Sequence, residues 1–168
     1  MQYRTLGKTG LSVSILGFGT MRLPQRSSIP SDIDERLATS MLRKAIDNGV
    51  NYVDTAWPYH GKNSENFVGK ALQKGYREKV YIATKSPTWL LKTKTDFRRI
   101  LEKQLEKLKT DHIDLYLIHA ISEPYMKIIR ECEVIEEAAR AKKEGLIGHI
   151  GFSFHDEAEV FKTMVDSY

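Results

Sequence analysis

The chain has 168 residues, 41% of them hydrophobic, and a net charge of +4. That is enough for one globular core, and no apolar stretch approaches the roughly 20 residues of a membrane span. The opening Met1-Gln2-Tyr3-Arg4 runs directly into patterned sequence without the apolar core of a signal peptide, so a cytoplasmic setting is expected.

The single Cys132 excludes an internal disulfide and a cysteine metal or iron–sulfur site, and no metal is expected. The positive charge raises nucleic acid as a partner. However, Lys92, Lys94, Arg98, Arg99, Lys103, Lys107 and Lys109 are interleaved with Asp96, Glu102 and Glu106. Phe97, Leu101, Leu105 and Leu108 mark the apolar face of the same stretch, which reads as a solvated amphipathic helix. Neither a nucleic acid nor a membrane partner is expected.

Residues 3–15 read as a short hairpin around Gly7 and Gly10, and Leu16 to Thr20 as a first core strand. Residues 22–31, rich in Pro and Ser, read as a loop. A helix is predicted from Asp34 to Asn48, burying Leu37, Met41, Leu42, Ala45 and Ile46 and closed by Gly49. A strand follows over 50–54, then a helix from about Asn63 to Lys74 and a strand over 80–84. The long helix ending near Lys109 takes Thr93 or Thr95 as its cap. Next come a strand over 113–118, one helix from Met126 to Lys143, a strand over 147–152 and a last helix capped by Asp156. No linker or second-domain boundary interrupts residues 1–168, which read as a single domain.

The strands carry titratable residues at equivalent places. Asp54, Lys85 and His119 each stand at the end of an apolar run, and Tyr59 sits five residues past Asp54 in the loop Thr55-Ala56-Trp57-Pro58-Tyr59-His60. From Gly19 to Asp54, Lys85, His119 and Ser153 the intervals are 35, 31, 34 and 34 residues, each the size of one β/α unit. Taken singly, the Asp is a turn residue, the Lys a solvated cation and the His a satisfied core side chain. Together at the same end of successive units, they point to a site. Patterning alone leaves a barrel and an open doubly wound sheet both standing. The first turn, Gly17-Phe18-Gly19-Thr20-Met21-Arg22, lacks the third glycine of a dinucleotide fingerprint and leads into a loop rather than a helix, which disfavours the open sheet. No nucleophile elbow, phosphate-binding Walker loop or HExxH motif is present.

The segment Val53-Asp54-Thr55-Ala56-Trp57-Pro58-Tyr59 resembles the DTA…Y signature of the aldo-keto reductases. Ala83-Thr84-Lys85 is similar to that family's lysine strand, Asp111 to His119 to its strand ending in His, and Lys142 to Ser153 to its fifth strand. The opening Tyr3 to Thr20 matches as well, so the resemblance spans the chain. It implies a TIM-type (β/α)8 barrel of which about the first five units are present, since such a barrel needs about 250 residues.

The implied activity is reduction of an aldehyde or ketone with NADPH, NAD being the alternative cofactor. Tyr59 is the implied proton donor, Lys85 and Asp54 lower its pKa, and His119 orients the carbonyl. Gly19, Thr20, Met21, Asp54 and Ser153 are the implied cofactor contacts. Ser153 is followed by Phe154 where the family usually has Asn. The nearest subgroup is the bacterial one with a C-terminal iron–sulfur segment, although the one cysteine here cannot build such a cluster. A small carbonyl compound is the expected partner, and self-association through open barrel edges is a further expectation. The competing readings are a non-catalytic nucleotide-sensing module of the same fold and a fragment inactive by itself.

Overall fold

In a computed structural model, which describes residues 1–167, an N-terminal antiparallel hairpin precedes a five-stranded parallel sheet. The hairpin pairs β1 (Tyr3–Thr5) with β2 (Ser12–Ser14). The sheet runs in sequence order through β3 (Phe18–Gly19), β4 (Tyr52–Asp54), β5 (Tyr81–Pro87), β6 (Ile113–Ile121) and β7 (Ile147–Phe154). Between strands run α1 (Glu35–Asp47), the short α2 (Tyr59–Lys62), α3 (Ser64–Ala71), α4 (Asp96–Leu108), α5 (Glu123–Glu131) and α6 (Val134–Lys143). Helix α7 (Ala158–Ser167) follows the last strand. This is the strand–helix alternation of a TIM-type barrel, five units long and not closed on itself.

The core lies between sheet and helices, and period-2 alternation decides which side chains enter it. Val53, Ile82, Tyr116 and Ile118 from the strands meet Leu42, Phe67, Val68, Phe97, Ile100, Leu101 and Ala138 from the helices. The intervening residues Asp54, Lys85 and His119 therefore belong to the opposite face, where a barrel keeps its interior.

Several local expectations are corrected. Helix α1 buries Ala38, Leu42 and Ile46, while Leu37 and Met41 are both 45% exposed. Spacing at i, i+4 and i+8 selects one narrow stripe, and Leu37 and Met41 fall beside it. Neither Thr93 nor Thr95 caps α4 through its side chain. The Asp96 carboxylate instead accepts from the N–H groups of Lys92 and Thr93, both at 2.9 Å. The single helix expected over 126–143 is two, broken at Cys132–Glu133, where Glu133 takes a left-handed φ of 51°. Strands β5, β6 and β7 run two or three residues longer than predicted, so Lys85, His119 and Ser153 lie within strands rather than just past them. Asp34, expected as the first residue of the helix, instead caps α1, its Oδ1 accepting from Leu37 N–H at 2.9 Å.

Helices α3 and α4 touch backbone to backbone at Gly69. A Cβ there would lie 2.3 Å from the Lys107 carbonyl oxygen and 2.7 Å from the Leu108 carbonyl carbon. Backbone cannot give way as a side-chain tip can, so Gly69→Ala is expected to destabilise by about 1–3 kcal/mol or more through overpacking. Urea denaturation checks this, and an unchanged midpoint would show that the two helices separate freely.

Candidate active site

Asp54 and Lys85 form the centre. Lys85 is 6% exposed, and its Nζ donates to Asp54 Oδ2 at 2.7 Å and to the Thr55 carbonyl oxygen at 2.8 Å. A nearly dry ammonium is tolerable only with such acceptors. Asp54 is held from behind. Thr20 donates to its carbonyl oxygen from both backbone N–H and Oγ1, each at 2.9 Å. Thr20 Oγ1 also lies 2.8 Å from Ser64 Oγ, which is 2.9 Å from Thr55 Oγ1.

Tyr59 opens α2 directly after the Asp54 loop. Its ring centroid is 5.2 Å from Lys85 Nζ and 6.4 Å from the His119 ring, which it meets edge-on. The chain then turns sharply, with His60, Gly61 and Lys62 all at positive φ. His60 secures the turn: Leu23 N–H donates to its Nε2 at 3.0 Å, and its Nδ1 faces the Pro30 carbonyl oxygen at 2.9 Å. Accepting at Nε2 leaves the proton on Nδ1. The loop over residues 23–30 is thereby tied to the Tyr59 segment.

His119 is 8% exposed, and its Nδ1 is buried without a hydrogen-bond partner among the described residues. Trp89, in a single turn after β5, packs on it at 5.1 Å between ring centroids, and Thr88 Oγ1 donates to its carbonyl oxygen at 2.7 Å. Ala120 follows at a φ of 55°, a bulge whose N–H is accepted by Ser153 Oγ at 2.8 Å.

Burial is the main force on both titrating rings. It pushes the His119 pKa down to about 4, with lesser help from the Lys85 and His155 charges. The imidazole is therefore neutral at neutral pH. An unfolded His takes up its proton near pH 6.5, so the stability linked to His119 is complete above that value. It is lost as pH falls from 6.5 towards 4. A series of denaturation curves across that range should show stability falling with pH, less steeply in His119→Asn. Equal slopes in the two proteins would contradict the burial of this ring.

The Tyr59 phenol is raised above its ordinary 10, first by burial and then by the Asp54 charge, while Arg22 opposes. This corrects the expectation that Lys85 lowers it. The ammonium is spent on Asp54 and Thr55, and what reaches the phenol from the pair is not a net positive charge.

The implied cofactor contacts separate into two kinds. Gly19 pairs with Asp54 in register, and the space where a Cβ would stand is open to 4 Å. Met21 is 48% exposed beside it, and Ser153 Oγ keeps a proton to donate after accepting from Ala120. Thr20 is fully buried, with its hydroxyl engaged inside the protein, and meets the site through Asp54 and, by way of Ser64, through Thr55.

Missed from the sequence were Trp89, Thr88 and His60. His60 alone left a signal, since it directly follows Tyr59 in the quoted motif. Among the described residues no group of His, Cys, Asp and Glu is arranged to hold a metal ion, and no helix is long and apolar enough to cross a membrane.

A parallel β/α barrel segment that pairs a buried lysine with an aspartate beside a tyrosine and a histidine defines a class of barrel with acid–base groups at its strand ends. The Aldo/keto reductase family profile matches residues 15–167, and the chain belongs to that family. It is 33% identical to a curated aldo-keto reductase of Bacillus subtilis over 98% of this chain and 51% of that protein. Among solved structures, the holo form of an aldo-keto reductase from Bacillus halodurans superposes with a TM-score of 0.77 at 32% identity, covering 99% of this chain and 54% of that one. One from Klebsiella pneumoniae in complex with NADPH superposes at 0.78 with 26% identity, again over 99% and 54%. The chain thus spans about half the length of the curated relatives it matches.

Proposed function

We propose that residues 1–168 are the N-terminal portion of a cytoplasmic aldo-keto reductase that reduces a small aldehyde or ketone with NADPH. The observation that carries this reading is the Lys85–Asp54 pair at 2.7 Å beneath the Tyr59 ring, with a neutral, buried His119 on the other side.

Nicotinamide, when bound, supplies the hydride to the carbonyl carbon. The chain's own residues do the rest. Gly19 leaves room for a flat ring beside Asp54, Met21 offers apolar contact, and Ser153 has a hydroxyl proton for a carboxamide oxygen. Thr20 supports these from behind. Neutral His119 donates a hydrogen bond to the substrate oxygen and fixes its direction. Tyr59 then gives its proton to the developing alkoxide and recovers one from water. A raised phenol pKa keeps that proton in place at neutral pH, which a donor requires. Lys85 and Asp54 hold the geometry beneath the phenol ring.

The fit to a dinucleotide relies on local shape and on likeness to the NADPH complex from Klebsiella pneumoniae. A second relative, from Escherichia coli, is named an NADH-specific methylglyoxal reductase, so NADH is the cofactor to test beside NADPH. Carbonyl-dependent oxidation of either cofactor, followed by its absorbance, is the deciding experiment. Saturable NADPH binding with no turnover of any aldehyde or ketone would replace this reading with nucleotide sensing.

A further inference from the structure

On the helix side of the sheet, directly behind the site, stands a carboxylate that the proposed mechanism does not use. Glu65 of α3 is fully buried. An ionised carboxylate so placed needs all its acceptor capacity filled. Glu65 Oε1 accepts from Thr84 Oγ1 at 2.8 Å and from Gln104 Nε2, and Oε2 pairs with Lys107 Nζ at 3.1 Å.

Each of these partners reaches on to the site. Gln104, also fully buried, uses Nε2 to donate to the carbonyl oxygen of Lys85 at 3.1 Å. Its Oε1 accepts from Tyr116 OH at 2.5 Å. It therefore links β5 at Lys85 to β6. Lys107 Nζ stands 3.9 Å from the ring centroid of Trp57 and 3.4 Å from the Lys62 carbonyl oxygen. Those two contacts flank Tyr59, two residues before it and three after.

We propose that Glu65, Gln104 and Lys107 form a positioning network that sets the placement of Tyr59 relative to Lys85. This rests on the roles given to those two residues above. None of the three touches the reacting face, so they are positioning residues and not catalytic ones. A core held only for stability would be served as well by apolar side chains of the same volume. What apolar residues cannot supply is a directional hold on the Lys85 carbonyl and on both flanks of Tyr59. Small errors there are expensive, since a displacement of about 1 Å can cost about 10²-fold in rate.

Lys107→Met tests it, because the variant keeps the aliphatic stem and removes the ammonium. With tyrosine labelled by carbon-13 at Cζ, the Tyr59 resonance is assigned from its absence in Tyr59→Phe and followed through its ionisation. The expected result is a midpoint that falls by about half a pKa unit or more as the loosened ring gains water, with Lys107→Arg keeping the parent value. Where the polypeptide turns over a carbonyl, kcat should drop about tenfold while the KM for NADPH stays within about twofold. If Lys107→Met does not melt cooperatively, Trp57→Leu breaks the same contact from the other side and is judged by the same midpoint. An unchanged Tyr59 midpoint in a folded variant overturns the network. The catalytic roles themselves are judged separately, by whether Tyr59→Phe loses turnover.

Discussion

Tyr59→Phe is expected to lower carbonyl turnover by about 10²–10⁴-fold, the usual worth of a positioned general acid. The affinity for NADPH should stay near that of the parent. Removing one oxygen changes little else, because the phenol oxygen has no hydrogen-bond partner among the described residues and the ring stays in place between Lys85 and His119. The measurement is steady-state reduction of a small aldehyde by a polypeptide that carries this chain and is active. A loss below about tenfold would take the acid role away from Tyr59. His119 is the obvious substitute, but it is a poor one. Its pKa is pushed to about 4, so at neutral pH it carries no extra proton to give. An activity that rose steeply as pH fell towards 4 would favour His119 over Tyr59.

The large features of the fold were legible because they are written in periodicities. Apolar runs about 31–35 residues apart, each followed by a helical stripe, give the β/α repeat, and the observed strands begin within about two residues of the expected places. The four titratable residues were legible for the same reason, since strand ends converge in a parallel barrel. Details set by tertiary packing were not. Nothing in Met126 to Lys143 announces the left-handed Glu133, because no glycine or proline marks the break. The buried face of α1 was misplaced because Leu37 and Met41 are as apolar as Leu42, and only the neighbouring elements decide which stripe is covered. Glu65 and Gln104 gave no signal at all. Among so many Lys and Glu residues they read as solvated surface, and their burial depends on donors that come from β5, β6 and α4.

The direction of the Tyr59 shift failed for a related reason. From the sequence, Asp54 is expected to hold Lys85 charged so that its ammonium lowers the phenol pKa. The structure pairs that ammonium with a carboxylate at 2.7 Å, and a neutral pair does little to stabilise a phenolate at a distance. Burial, which no motif reveals, then becomes the largest influence.

The 168-residue chain is also expected to self-associate. Among the described residues, strand β3 pairs only with β4, and β7 only with β6, so the sheet has two open edges. An unpaired edge presents free N–H and C=O groups to any other strand. Both edges are flanked by apolar side chains in contact with water: Ile15, Leu16 and Met21 near β3, at 58%, 60% and 48% exposure, and Ile150 in β7, at 38%. The interior face of the sheet adds to this. In a closed barrel that face is packed from all sides, whereas here most of β7 beyond Ile147 is only half-buried. Neither edge carries the charged side chains or proline that natural edge strands use to resist pairing: β3 is Phe-Gly, and β7 reads Ile-Gly-His-Ile-Gly-Phe-Ser-Phe. Of the two edges, β7 is the longer and the more suited to pairing, so Ile150→Lys should weaken association more than a substitution in β3. Light scattering after size exclusion at tens of micromolar should give a mass at or above twice that of one chain, falling towards the monomer in Ile150→Lys. A monodisperse monomer with a cooperative melt would mean that the open edges are protected by something other than pairing.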